Sequence, residues 1–182
     1  MRNSDDLMQE WAALVPMWIK EMREGKNSVR KGLLDSVMLD VCGKVEGLSI
    51  LDSGCGEGRF CRMLVERGAK YVLGLDLCEE MIEAATKLKS ECDDYRLKNV
   101  QDLGFIENEI FDIVVSYLNQ YDLQYFETNN REVFRLLKSG GKFIVANLHP
   151  IRSATGKWYR DASGKKLHVI LDNYFDEGER HC

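Results

Sequence analysis

The chain has 182 residues, 45% of them hydrophobic and 30% charged, a balance that fits one soluble domain with a sizeable buried core. A net charge of −5 with no basic cluster speaks against sequence-independent nucleic-acid binding, and no apolar run reaches the length that crosses a bilayer. The polar, acidic start MRNSDDLMQEW does not resemble a secretory signal, and six cysteines without a CxxC pair fit reduced packing residues of a cytoplasmic protein better than disulfides or a metal site.

Along the chain, residues 1–46 read as helical. Leu7, Trp11, Leu14 and Trp18 recur at helix spacing, and a second stretch from Ser28 to Val41 places Val29, Leu33, Leu34, Val37, Met38 and Val41 on one face. Between them Glu24-Gly25-Lys26-Asn27 reads as a break. These two helices either pack on a sheet or form a lid over a pocket. From residue 47 short apolar runs alternate with amphipathic stretches, the pattern of βαβ units and a parallel sheet. The expected order is a strand at Leu48–Asp52, a helix at Arg59–Arg67 stopped by Gly68, and a strand at Tyr71–Leu75. A helix at Glu79–Leu88 opens with two acidic residues that suit its dipole, and a weak strand comes next at Tyr95–Val100. Then come a strong strand at Phe111–Ser116, a helix at Asn129–Leu137 closed by Lys138-Ser139-Gly140-Gly141, and a strand at Lys142–Leu148. After Pro150 the pattern weakens: residues 151–182 carry a turn at Asp161-Ala162-Ser163-Gly164 and a candidate strand from Leu167 to Phe175.

The most informative segment is Ile50-Leu51-Asp52-Ser53-Gly54-Cys55-Gly56-Glu57-Gly58, which joins an apolar strand to an amphipathic helix. Gly54 and Gly56 allow a sharp turn and a close approach by a ligand where a Cβ would collide. The spacing is GxGxG rather than the GxGxxG of dinucleotide enzymes, and Asp52 just before the loop would repel a pyrophosphate while attracting a positive centre. Asp76 ends the second strand, 24 residues on, where an acid can accept both hydroxyls of a ribose or simply cap the next helix. Together these features suit a cationic, phosphate-free nucleoside.

Four segments resemble, in order, those of the class I S-adenosylmethionine (SAM)-dependent methyltransferases. They are ILDSGCGEGRF, LGLDLCEEMIEAA, DLGFIENEIFDIVVSYLNQYDL and EVFRLLKSGGKFIVANLHP. The resemblance spans roughly residues 28–177 and is specific for fold and cofactor, not for substrate. It implies an α/β, Rossmann-like three-layer sandwich with a mostly parallel sheet of order 3-2-1-4-5 behind N-terminal helices. It also implies one SAM-binding domain: a cap at 1–46, the core at 47–150 and an incomplete C-terminal region at 151–182. By position, Asp52, Gly54, Cys55 and Gly56 would contact the methionine part of SAM, largely through backbone, and Asp76 the ribose. Leu77 and Met81 would flank the adenine, Asn99 (where the family has Asp) and Val100 would pair with its edge, and Ser116 would lie beneath the sulfonium. Ser139 and Cys78 stand where the family has Pro and often Ser. The family's last two strands are missing after NYFDEGER, so the chain is expected to be a truncated product. Its fifth strand would be an open edge, inviting a homodimer or a covering tail.

The implied reaction is an in-line methyl transfer from SAM to a small-molecule acceptor, leaving S-adenosylhomocysteine. Alignment of the nucleophile dominates such a step, and a base is needed only if the nucleophile carries a proton. Open α/β sheets bind ligands beyond the carboxyl ends of their strands. The acceptor-side candidates are therefore Tyr117, Asn119, Tyr121 and His149, with Trp11, Trp18 and Arg30 from the N-terminal helices. His149 is the first choice of base, against a structural role before Pro150; Tyr121 occupies a place where many family members carry His. Arg30 reads first as part of a solvated helix face and second as a partner for the methionine carboxylate. The alternatives are an NAD-dependent oxidoreductase and a non-catalytic SAM-binding or interaction module.

Overall fold

The computed structural model describes residues 4–27, 29–149, 151, 158–171 and 174–175. Five parallel strands, β1 (Ser49–Ser53), β2 (Tyr71–Asp76), β3 (Asp93–Leu97), β4 (Phe111–Tyr117) and β5 (Leu137–Ala146), form one sheet in the order β3-β2-β1-β4-β5. The connections carry α3 (Arg59–Glu66) after β1, α4 (Glu79–Thr86) after β2 and α5 (Phe126–Leu136) after β4. Upstream lie α1 (Ser4–Arg23), a π-helical turn at Arg30–Leu34 and α2 (Asp35–Cys42). The expected three-layer architecture and strand order are therefore present, and the order reverses between β1 and β4, where a crevice opens at the strands' carboxyl ends.

Period-two alternation builds the layers. Ile50 of β1, Val72 of β2 and Ile113 and Val115 of β4 face Met38, Leu39 and Cys42 of α2 and Phe60, Cys61 and Leu64 of α3. Leu51, Leu73, Leu75 and Val114 point the other way, onto Leu103, Ile106 and Val133 and Leu136 of α5. Ile50, Leu51, Leu64, Leu75 and Val114 are fully buried, each contributing roughly 1.5–3 kcal/mol of apolar transfer. These near-continuous apolar runs are what a doubly covered parallel sheet requires.

Three boundaries differ from the sequence expectation. The stretch 28–41 is not one helix with all its apolar residues inward: Val29, Leu33, Val37 and Val41 are exposed, while Asp35, Met38, Leu39 and Cys42 are buried. The π turn adds a residue to its loop and rotates the helix after it, which brings Asp35 to the interior. β3 lies at Asp93–Leu97, earlier than expected, because Asp93 is buried and accepts the hydroxyl of Tyr95 at 2.5 Å. Lys138–Gly141 is part of β5, not a terminator: the ladder jumps from the pair Phe111–Leu137 to the pair Ile113–Lys142, and Gly140 takes the bulge at φ 78°.

Beyond β5, β6 (Tyr159–Arg160) and β7 (Lys166–His168) form a separate antiparallel hairpin. Its turn is held by Asp161 Oδ1, which accepts from the Ser163 and Lys165 amides, with Gly164 at φ 84°. The strand expected over Leu167–Phe175 is thus limited to β7; residues 172–173 and most of NYFDEGER lie outside the described residues. Among the described residues β5 is a sheet edge. No helix among them is long and apolar enough to cross a membrane.

Candidate functional site

The glycine loop after β1 is shaped by Gly54, Gly56 and Gly58, all with left-handed backbones at φ 83°, 55° and 76°. Its first amides are already committed: Gly54 N and Cys55 N both donate to Leu75 O at 2.9 Å, and Gly56 N donates to Asp76 Oδ2 at 2.8 Å. Asp76 Oδ1 accepts from Cys78 N at 3.0 Å, so Asp76 also serves the entry to α4. Each of its oxygens keeps a second lone pair, and the residue lines the cleft. Burial raises its carboxyl above the ordinary range.

Asp52, at the floor, is buried with its Oδ2 receiving the Cys61 thiol at 3.3 Å and its Oδ1 unpartnered. Burial pushes its pKa up to about 7. Asn119, from the segment after β4, lies directly against Gly54: a Cβ at position 54 would sit 2.2 Å from Asn119 Cγ. Asn119 Nδ2 is likewise buried without a partner, as is Ser116 Oγ.

The cleft is roofed by α1. Val15 packs on Cys78 and Met81, with Trp11, Trp18 and Ile19 against the same cluster, and Trp11 meets Trp18 edge to face at 5.5 Å between centroids. At the end of α1, Arg23 reaches Ala84 O at 3.4 Å and Glu57 at 3.7 Å; Glu57 is buried and held by Arg62 at 2.7 Å. The wall at β4 is Tyr117. Its hydroxyl donates to Asp35, which is also bound through both oxygens by Arg59 at 2.7 Å. Arg30 lies over Tyr117 and Trp18, 4.8 and 5.1 Å from the two ring centroids.

The structure brings Asp52, Gly54, Cys55, Gly56, Asp76, Leu77, Met81, Asn99, Val100, Tyr117 and Asn119 to this one cleft, with Trp11, Trp18 and Arg30. Asn99 uses its Oδ1 on the Gln101 amide at 2.9 Å, and Val100 O receives Asn129 Nδ2 at 2.6 Å. Three residues fall elsewhere. Ser116 is fully buried in β4, behind the cleft rather than in it. Tyr121 is half exposed outside it, its hydroxyl pushed up to about 12 by burial. His149 is exposed past β5, its Nδ1 accepting the Ile151 amide at 3.2 Å. Of the other two histidines, His168 stacks on Tyr159 in the hairpin and His181 lies outside the described residues. Sequence reasoning missed the Asp35–Arg59 pair and Glu57. The available signal was an arginine opening the helix after a glycine loop; Asp35 lies off the apolar face that helical periodicity gives this stretch.

The buried residues fit a nucleoside with an amino-acid tail. An acceptor, Asp52 Oδ1, and a donor, Asn119 Nδ2, are left open, and the space above Gly56 holds nothing nearer than Met81 Sδ at 4.0 Å.

Comparison with known proteins agrees with this geometry. Residues 51–145 match the family described as a methyltransferase domain. In structure the chain is similar to a Listeria monocytogenes protein assigned to the S-adenosylmethionine-dependent methyltransferases, with a TM-score of 0.74 and 34% identity, over 86% of this chain and 70% of that one. In sequence it is 37% identical over 79 residues to a ubiquinone biosynthesis O-methyltransferase of Neisseria meningitidis, covering 41% of this chain and 32% of that protein. It is 36% identical over 115 residues to a demethylmenaquinone methyltransferase of Lactococcus lactis, covering 59% of this chain and 45% of that protein. The chain thus spans less than half the length of these two curated relatives.

Proposed function

Because this chain belongs to the class I SAM-dependent methyltransferases, we propose that it binds SAM in the cleft beyond β1 and β2 and passes the methyl group to a small-molecule acceptor. The observation that carries the proposal is a pair of carboxylates, the buried Asp52 and the half-buried Asp76, opening into one cleft on either side of Gly54 and Gly56. Such a floor suits a sulfonium, an ammonium and ribose hydroxyls. It repels a pyrophosphate, whose usual donors, the amides of Gly54, Cys55 and Gly56, are already bonded within the protein. The NAD-dependent alternative is disfavoured on that ground.

In this reading Asp52, Gly54, Cys55 and Gly56 surround the methionine moiety, Asp76 takes the ribose, and Leu77, Met81, Asn99 and Val100 surround the adenine. Bound there, SAM supplies a methyl group already activated for displacement. The protein's part is to position the acceptor and keep water out, an effect worth on the order of 7–11 kcal/mol when alignment is good. Residues 1–46 serve as the cap, through Trp11 and Trp18, over the core at 47–150. The ring of Tyr117 faces the acceptor space while its hydroxyl is engaged by Asp35, which makes it a wall rather than a proton acceptor. His149 and Tyr121 would serve as bases only after moving toward the cleft, so an acceptor that needs no deprotonation fits best.

The aromatic walls suit a flat acceptor, and the names of the two curated relatives favour a small molecule. A cytoplasmic location agrees with five described cysteines, all free thiols. The β5 edge is where a second copy would pair, and the acidic chain disfavours nucleic acid.

The test is calorimetric titration with S-adenosylhomocysteine and with NAD. One-to-one binding of the first and none of the second is expected; NAD binding alone overturns the proposal. Turnover of labelled SAM with a panel of acceptors then separates an enzyme from a binding module.

A further inference from the structure

The β6–β7 hairpin carries cations and apolar side chains that the cleft does not use. In the segment 158–171 Arg160, Lys165 and Lys166 stand against one carboxylate, Asp161, although the chain as a whole has a net charge of −5. Asp161 is spent on the turn, its Oδ1 accepting from the Ser163 hydroxyl and from the Ser163 and Lys165 amides. Arg160 and Lys166 are partners across the ladder, a like-charge pairing that weakens a hairpin. Among the described residues none of the three cations has a carboxylate partner: Arg160 Nη1 donates to Gly164 O at 2.7 Å, and Lys166 Nζ lies 5.3 Å from the centroid of the Trp158 ring. On the same segment Trp158, Tyr159, Leu167, Ile170 and Leu171 are each about half exposed. The hairpin is a sheet of its own, and two strands alone bury little.

Uncompensated cations beside exposed apolar side chains are complementary to a surface that is anionic outside and apolar beneath. Tryptophan settles at the boundary between headgroups and acyl chains, and lysine stems lie along apolar groups while their ammonium ends reach phosphates. Two of the three cations are lysines, which protein–protein interfaces deplete. A nucleic acid would stack its bases on open aromatic faces. Here Tyr159 already stacks on His168, 5.1 Å between centroids, and Trp158 carries Lys166. Leu167, Ile170 and Leu171 offer nothing to a phosphate backbone. We propose that the segment 158–171 docks the protein onto an anionic lipid surface. Arg160, Lys165 and Lys166 take the headgroup phosphates, and Trp158 with the three aliphatic side chains enters the acyl boundary. None of these residues lines the cleft, so the proposal stands or falls separately from the cofactor reading.

Flotation of the full chain with vesicles is the test. One set is phosphatidylcholine alone, and the other is equal parts phosphatidylcholine and phosphatidylglycerol. Binding to the mixed vesicles only, weakened by added salt, is expected. Each cation near an anionic surface is worth roughly fivefold in affinity, so Arg160→Gln/Lys165→Gln/Lys166→Gln should bind at least about tenfold more weakly, with its melting temperature unchanged. Tryptophan emission should shift to the blue on the mixed vesicles, and the shift should vanish in Trp158→Phe. If the triple variant does not fold, the salt dependence and the Trp158 emission still decide. Equal binding to both vesicles, binding to neither, or undiminished binding by the folded triple variant overturns the proposal. Binding without the Trp158 shift is charge attraction alone and overturns it too. Retention of a single-stranded RNA oligonucleotide instead of vesicles would assign the surface to nucleic acid. Self-association without lipid that the triple variant abolishes would assign it to a second copy. Either result also overturns the proposal.

Discussion

Tyr117 donates its hydroxyl to Asp35 at 2.9 Å and so joins the last residue of β4 to the first residue of α2. Arg59, opening the helix after the glycine loop, binds the same carboxylate through both of its terminal nitrogens. Three segments that surround the cleft thus share one buried acid. Burial pushes the Asp35 carboxyl up, but the hydrogen bonds from Arg59 and Tyr117 outweigh it and hold the pKa below the ordinary value.

Removing the two partners has unequal consequences. Asp35→Ala leaves Arg59 without its counter-charge and is expected to cost about 3–5 kcal/mol. Tyr117→Phe keeps the Asp35–Arg59 pair and is expected to cost about 1 kcal/mol. Urea denaturation of both variants checks the ratio. Tyr117→Phe is also expected to retain affinity for S-adenosylhomocysteine, because the ring that faces the cleft is unchanged; loss of binding would assign the hydroxyl a direct part in the site.

Asp52 sets a pH dependence of the opposite kind. Burial raises its pKa from 3.8 to about 7, so between these values the folded protein holds a proton that the unfolded chain does not. Its contribution to stability is full below about pH 4 and is lost as pH rises toward about 7, on the order of 2–4 kcal/mol in all. Asp76 is raised by burial as well, so the Asp52→Asn variant is needed to isolate the effect. Chemical denaturation at pH 5 and pH 8 should show a smaller difference in that variant than in the unmodified protein. A ligand ammonium placed beside Asp52 favours its ionised form. Affinity for S-adenosylhomocysteine should therefore rise from pH 5 to pH 7 in the unmodified protein and stay flatter in Asp52→Asn.

Gly54 combines two demands that no other residue meets. Its φ of 83° is unfavourable for any side chain, and a Cβ there would overlap Asn119, with Cγ at 2.2 Å and Oδ1 at 2.5 Å. The strain alone costs about 1–3 kcal/mol, and the displaced Asn119 adds to it. Gly54→Ala is expected to lower the melting temperature and to abolish detectable S-adenosylhomocysteine binding. Gly56 is left-handed too, but a Cβ there would meet only Met81 Sδ at 4.0 Å, so Gly56→Ala should cost less stability. Parallel thermal melts decide whether the packing against Asn119 or the backbone conformation dominates.

The sheet was legible in the sequence because β1, β2 and β4 are buried on both faces and read as continuous apolar runs bounded by Gly or Asp. The cleft was legible because Gly54, Gly56 and Asp76 lie at strand ends, where local chain geometry fixes their position. The helix at 28–41 was misread because a π turn shifts the facing of every later residue, and nothing in Arg30-Lys31-Gly32-Leu33-Leu34 signals that turn. The same shift hid Asp35, which periodicity placed outside, and made Arg30 look like solvated surface. The acceptor-side residues were legible only as neighbours of strand ends. Tyr117 is the last residue of β4 and arrives in the cleft, whereas Tyr121 lies on a short 3₁₀ turn at Gln120–Asp122 and His149 on irregular backbone past β5, and the direction of both depends on tertiary contacts.

Asp76 performs two tasks, and a single substitution would confuse them. Its oxygens brace the glycine loop and the entry to α4, through Gly56 N at 2.8 Å and Cys78 N at 3.0 Å, while their remaining lone pairs face the cleft. Asp76→Ala is expected to weaken S-adenosylhomocysteine by about 1–3 kcal/mol, the range for a lost polar partner. The loop's share of this loss would be felt equally by every ligand of the cleft. A ribose contact would not: the unmodified protein should prefer 5′-methylthioadenosine over its 2′-deoxy analogue, and Asp76→Ala should bind the two alike. That coupling, measured by calorimetry as a double-mutant cycle between residue and hydroxyl, reports the contact itself. A preference for the ribose that survives in Asp76→Ala would leave Asp76 as a brace and send the search for the ribose partner elsewhere along the cleft.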